Sequence, residues 1–132
     1  MYSHKVLLLI LAIIPIAGCQ TNPVKYEVET VVRPSLMADD RGRPQQYTVD
    51  FTVTETRPDG ESIVTRPQIL TVVGKQAKIS TEKSYPNQPP ESISCTALVR
   101  HEEDEDRVDT SVSIVKKGKE VCSIRQSTTF PQ

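Results

Sequence analysis

From Val24 onward the chain reads in twos. In VKYEV the apolar Val24, Tyr26 and Val28 alternate with Lys25 and Glu27, and in QYTVDFTVTE Tyr47, Val49, Phe51 and Val53 alternate with Thr48, Asp50, Thr52 and Thr54. Successive side chains of an extended strand point to opposite faces, so this period marks strands with one face in a core and one in water. Segments 62–73, 76–81, 92–100, 108–116 and 120–128 are further strand candidates. Turn formers separate them: DDRGRP at 39–44, RPDG at 57–60, Gly74, YPNQPP at 85–90 and KKGK at 116–119. No stretch sustains helical spacing, and ten prolines interrupt the chain. The expectation is an all-β fold, a single small β-sandwich or a partly open barrel of about seven strands.

Before Val24 the pattern changes. Lys5 is followed by an unbroken apolar run, Val6 to Ile16. A transmembrane helix needs about 20 such residues, whereas the core of a secretory signal peptide needs only about 7–15. The run ends in Ile16-Ala17-Gly18-Cys19, and these four residues resemble the bacterial lipobox, a branched apolar residue and two small ones before an obligatory cysteine. The resemblance implies a diacylglyceryl group on the Cys19 thiol, cleavage between Gly18 and Cys19, and acylation of the new amino terminus. Two or more acyl chains hold a protein stably on a membrane, where one does so only marginally. Gln20, rather than Asp, follows the cysteine; by resemblance to enterobacterial sorting, this places the protein on the periplasmic face of the outer membrane. The expected organisation is a signal peptide over 1–18, a lipidated tether over 19–24 and a β-domain over 25–132.

Composition narrows the function. Without residues 1–18 the chain holds 15 basic and 17 acidic residues, so no basic excess exists to bind nucleic acid or pull the domain onto anionic lipid. Tryptophan is absent and aromatics are few, which argues against wide stacking platforms for sugars or bases. With Cys19 lipidated, Cys95 and Cys122 remain. Two cysteines in an oxidising compartment suggest a disulfide, which would stabilise the fold by roughly 3 kcal/mol on the chain-entropy model; the alternative is a pair of free buried thiols. The pairing has a topological condition. If 92–100, 108–116 and 120–128 form a simple meander, the two cysteines lie about two strand spacings apart, beyond the ~7 Å that a disulfide tolerates.

Candidate chemistry is sparse. The mature chain has one histidine, His101, beside EEDED at 102–106. A nucleophilic device needs that imidazole held by a carboxylate and facing a nucleophile, and a solvated hairpin loop is the expected setting instead. The acidic run lacks the glycine and alternate spacing of a calcium loop. Zinc would need three or four ligands where only His101 and acids are on offer. No cofactor, no metal and no catalytic residue is expected, apart from the covalent lipid on Cys19.

The most individual segment is TRPQILTVVGKQAKIS, residues 65–80. Pro67, Leu70, Val72, Gly74, Gln76, Ala77 and Ile79 resemble the hairpin signature of bacterial secretins, the outer-membrane channels of secretion and pilus systems: a proline-led strand, a Gly or Asn turn, and a polar-Gln-x-Ala-x-Ile strand. The likeness extends over residues 47–115, but the repeated periplasmic modules and membrane-crossing strands of secretins are missing, so pore formation is not implied. What it implies is a compact β-domain with Gln76, Ala77, Lys78 and Ile79 as a candidate partner-binding edge. The expected function is a non-enzymatic lipoprotein that binds an envelope protein, as a structural or assembly accessory; the alternative is a small-ligand-binding or hydrolase-inhibiting lipoprotein. An open strand edge or apolar patch favours the first, and a cavity of several hundred Å³ with a few convergent polar groups favours the second.

Overall fold

The computed structural model describes residues 12–21, 23–35 and 42–131. Among these residues all regular structure is β, in two antiparallel sheets that do not close into a barrel. The first sheet contains β1 (Ala12–Thr21), β2 (Val24–Pro34), β3 (Gln46–Thr56), β4 (Ser62–Thr65) and β5 (Gln68–Val72). Its order is β1-β2-β3, with β4 and β5 sharing the far side of β3. The second is a meander of β6 (Ala77–Tyr85), β7 (Gln88–His101), β8 (Glu105–Lys116) and β9 (Lys119–Pro131).

The alternation read from the sequence sets the layers. Tyr26, Val28 and Val32 of β2, and Tyr47, Val49, Phe51 and Val53 of β3, face Cys95, Ala97 and Val99 of β7 and Val108, Val112 and Ile114 of β8, all buried. Burying a Val or Phe side chain of this kind contributes about 1.5–3 kcal/mol. Lys117 and Gly118, both at positive φ (53° and 75°), make the two-residue turn between β8 and β9, a geometry that matches the twist of the flanking strands.

Nine strands form among the described residues where the sequence suggests about seven. Segment 62–73 is two strands, because Pro67 cannot donate to a ladder and Arg66 and Pro67 interrupt the pairing with β3. YPNQPP makes a tight hairpin turn: Tyr85 pairs with Gln88, and Asn87 takes the left-handed conformation (φ 59°) that asparagine tolerates. The remaining addition is β1, formed by residues expected to lie in the leader and tether.

The cysteines are joined differently from the expectation. Cys95 lies opposite Val112, and Cys122 opposite Ile114, so β8 separates the two and the meander condition is met. Cys95 is a free buried thiol, and Cys122 is bonded to Cys19 of β1, with Cα atoms 5.6 Å apart. β1 reaches β9 because the two sheets converge on that side of the sandwich.

Candidate functional site

The candidate edge Gln76 to Ile79 lies where the chain crosses between sheets. β5 pairs with β3 and β6 pairs with β7, so the secretin-like segment is a crossover and its two strands do not form a hairpin with each other. Gly74 makes the crossing at φ 87°, its N–H donating to the Val99 carbonyl at 2.7 Å. Ala77 and Ile79 pack on the core opposite Ala97 and Cys95, while Gln76 and Lys78 are exposed. The other side of β6 carries no ladder among the described residues. Beside it, the outer face of β4 and β5 presents Val64, Leu70 and Val72, with Leu70 60% exposed. Three exposed apolar side chains on a split edge strand, next to a second edge that is unpaired among the described residues, form an apolar patch of the kind that invites a partner.

At the β4 end the sheets part, leaving a cleft of about 310 Å³ between β4 and β6. Tyr26, Val53, Ile63, Ile93 and Ile114 line its apolar part. Lys116 stands at its mouth, hydrogen-bonded to Glu55 of β3, 3.6 Å from Glu91 of β7, and 5.6 Å from the centre of the Tyr26 ring. One lysine therefore ties the two sheets together. Burial pushes the Glu55 carboxyl up, but the hydrogen bonds and charges of Lys116 and Arg57 outweigh it and hold it below the ordinary carboxylate value. For Lys116, burial pushes down, and Glu55, followed by Tyr26 and Glu91, raises the ammonium above its ordinary value.

His101 is not a solvated loop residue: it ends β7, opposite Asp106 of β8, and its side chain is held. Its Nδ1 lies 2.5 Å from Oδ1 of Asp106, and the Tyr47 hydroxyl donates to the other carboxylate oxygen. Asp106 has no exposed surface, whereas the His101 side chain is 28% exposed. Arg43 donates to the carbonyls of Glu102 and Glu103, both at 2.9 Å. The acidic turn is thus pinned by an arginine outside and a tyrosine inside. The histidine–carboxylate half of a catalytic device is present, but His101 lies outside the cleft lining. Among the described residues no group of three or more His, Cys, Asp and Glu side chains is placed to hold a metal.

The sequence reading missed the Asp106 cluster and the Lys116 tie. Asp106 was legible in principle: it shares parity with Val108, Thr110 and Val112, so extending the strand back by two residues puts a carboxylate on the core face. The Lys116 tie joins residues 61 apart through a sheet packing that no local pattern encodes. No protein-family model matches the chain, and no curated protein or solved structure matches it.

Proposed function

We propose that the mature protein is a non-enzymatic lipoprotein of the outer membrane's periplasmic face, anchored through Cys19, which binds an envelope protein through the β4/β5 and β6 edges. The anchor rests on the apolar run and Ile16-Ala17-Gly18-Cys19. The binding role is carried by the exposed Val64, Leu70 and Val72 beside the edge of β6, which is unpaired among the described residues. An extended segment of a partner would add main-chain hydrogen bonds to β6 and cover the apolar strip.

Lipid and disulfide are alternatives at one sulfur, because a thioether at Cys19 leaves Cys122 without its partner. Intact mass and thiol titration of protein isolated from envelopes separate them. The lipidated form begins at Cys19 and shows two thiols after unfolding, Cys95 and Cys122. The disulfide form shows only Cys95, whose thiol burial pushes up to about 12 and keeps unreactive until unfolding. For the binding role, affinity capture with Leu70→Glu beside the parent is the test. Loss of one envelope component with the variant supports the edge, and equal recovery rejects it.

A second reading is favoured by the cleft: a small amphipathic ligand with its apolar body against Ile63, Ile93 and Ile114 and a polar group at Lys116. Ligand screening against the domain and an Ile93→Trp variant tests it, since the larger ring occupies the space such a ligand needs.

A further inference from the structure

The outer edge of β2 is covered by β1, and β1 is the segment that the maturation reading removes. Ala12 to Thr21 pair along β2 from Val32 to Val24, and Ile14, opposite Thr30, is buried in the core. Cleavage after Gly18 leaves Cys19 to Thr21, opposite only Val24 to Tyr26. The rest of a long central strand then becomes an open edge with an isoleucine-sized vacancy beside it, a state that invites pairing with another strand.

We propose that this edge pairs with the same edge of a second copy of the chain, antiparallel and centred on Thr30. The inference rests on the proposed cleavage and goes beyond the proposed anchor. Its occupant follows from the sequence of β2 itself. The inward face carries Tyr26, Val28, Thr30 and Val32, and the outward face carries Lys25, Glu27, Glu29, Val31 and Arg33. A register that pairs odd with even residues turns one copy's core face to water, so only registers centred on a residue survive. Centring on Val28 sets Glu27 against Glu29; centring on Glu29 sets Glu29 against itself and Lys25 against Arg33. Like charges directly opposite are destabilising. Centring on Val31 also sets opposite charges together, Glu29 against Arg33, but it sets Thr30 against Val32 and Val28 against Pro34, so the Thr30 hydroxyl faces an apolar side chain and gains no partner.

Centring on Thr30 sets Glu27 against the second copy's Arg33 at two symmetric positions, and Val28 against its Val32. It also sets the two Thr30 side chains against each other. The Thr30 hydroxyl is the one buried side-chain polar atom with no hydrogen-bond partner among the described residues, in a molecule where such groups are normally satisfied. A threonine pair facing across two strands gives each hydroxyl the other as partner. Where β1 placed Ile14 and Ala17 beside Thr30 and Val28, the second copy brings Thr30 and Val32, restoring apolar cover. Arg33 already holds Asp50 of its own sheet at 2.5 Å, and a guanidinium has enough N–H donors to hold a second carboxylate.

The test is native mass spectrometry of the lipidated protein released from detergent micelles, with the denatured mass read on the same sample. The expected result is a chain beginning at Cys19 that is dimeric. Glu27→Arg or Arg33→Glu alone should weaken the dimer about tenfold or more by facing like charges at two positions, and the double exchange should restore it. Thr30→Val, which keeps the shape and removes the hydroxyl, should weaken it roughly fivefold, the scale of one neutral hydrogen bond. A cleaved monomer, or a cleaved dimer indifferent to the charge exchanges, overturns the pairing while leaving the anchor reading standing. An uncleaved chain overturns both, since β1 then keeps the edge.

Discussion

Asp106 is the only charged side chain in the buried set of the described residues, and its two partners explain how it is tolerated. A carboxylate away from water is costly unless its oxygens are hydrogen-bonded; here one takes the Tyr47 hydroxyl and the other faces His101. The three come from β3, β7 and β8, so the cluster ties the acidic turn to the opposite sheet, where Tyr47 also stacks against Phe130 with ring centres 5.5 Å apart. Asp106→Ala leaves a buried phenol without its acceptor and should cost about 1–3 kcal/mol. Urea unfolding checks this as a lower midpoint with an unchanged slope. Asp106→Asn keeps an acceptor for Tyr47 and should cost less. Equal losses from the two would show that the charge, and not the hydrogen bond, is what matters there.

At the scale of elements, β1 is where the two readings of the chain compete, and Gly18 separates them. A Cβ at this position would lie 2.7 Å from the Tyr26 carbonyl oxygen, which is fixed backbone. If β1 persists, Gly18→Ala should destabilise the domain by about 1–3 kcal/mol, the scale of overpacking. If cleavage removes residue 18, the small alanine still admits the peptidase and the mature domain melts unchanged. The core strands were legible because β2, β3, β7 and β8 alternate cleanly and each covers the shared core with one face. The split of β4 from β5 was foreshadowed by Pro67. The joining of Cys122 to Cys19 was not, because that contact spans 103 residues and depends on which strands lie at the converging edges. The crossover at Gly74 was hidden for a related reason. A glycine turn between two alternating segments reads as a hairpin in any sequence, and only the partner strands decide whether the chain folds back or passes to the other sheet.

For the molecule as a whole, the Lys116 tie makes stability depend on pH in a defined direction. Glu55 has its pKa depressed on folding, so its contribution is present above its unfolded value, near 4.5, and is lost as pH falls through the folded one. Lys116 has its pKa raised, so its contribution is present below its unfolded value, near 10.5, and is lost as pH rises through the higher folded one. Between these limits the link between sheets is intact. Lys116→Met, which keeps the stem and removes the charge, should flatten the acid limb of the stability profile, and thermal melts from pH 3 to pH 7 read this directly. The contribution is modest because both groups keep partial contact with water. Among the described residues each sheet covers its apolar face with the other, so unfolding should be a single cooperative event.

The order of the chain has a consequence for delivery. Strands β1 to β5 build one sheet and β6 to β9 the other, so each layer is contiguous in sequence. A chain threaded through a membrane from its amino end presents the first layer before the second has arrived. Tyr26, Val28, Val49 and Phe51 then have nothing to pack against, and that layer must wait, exposed, until β7 and β8 emerge. On the proposed export route, the yield should therefore track the speed of translocation more closely than the stability of the finished fold.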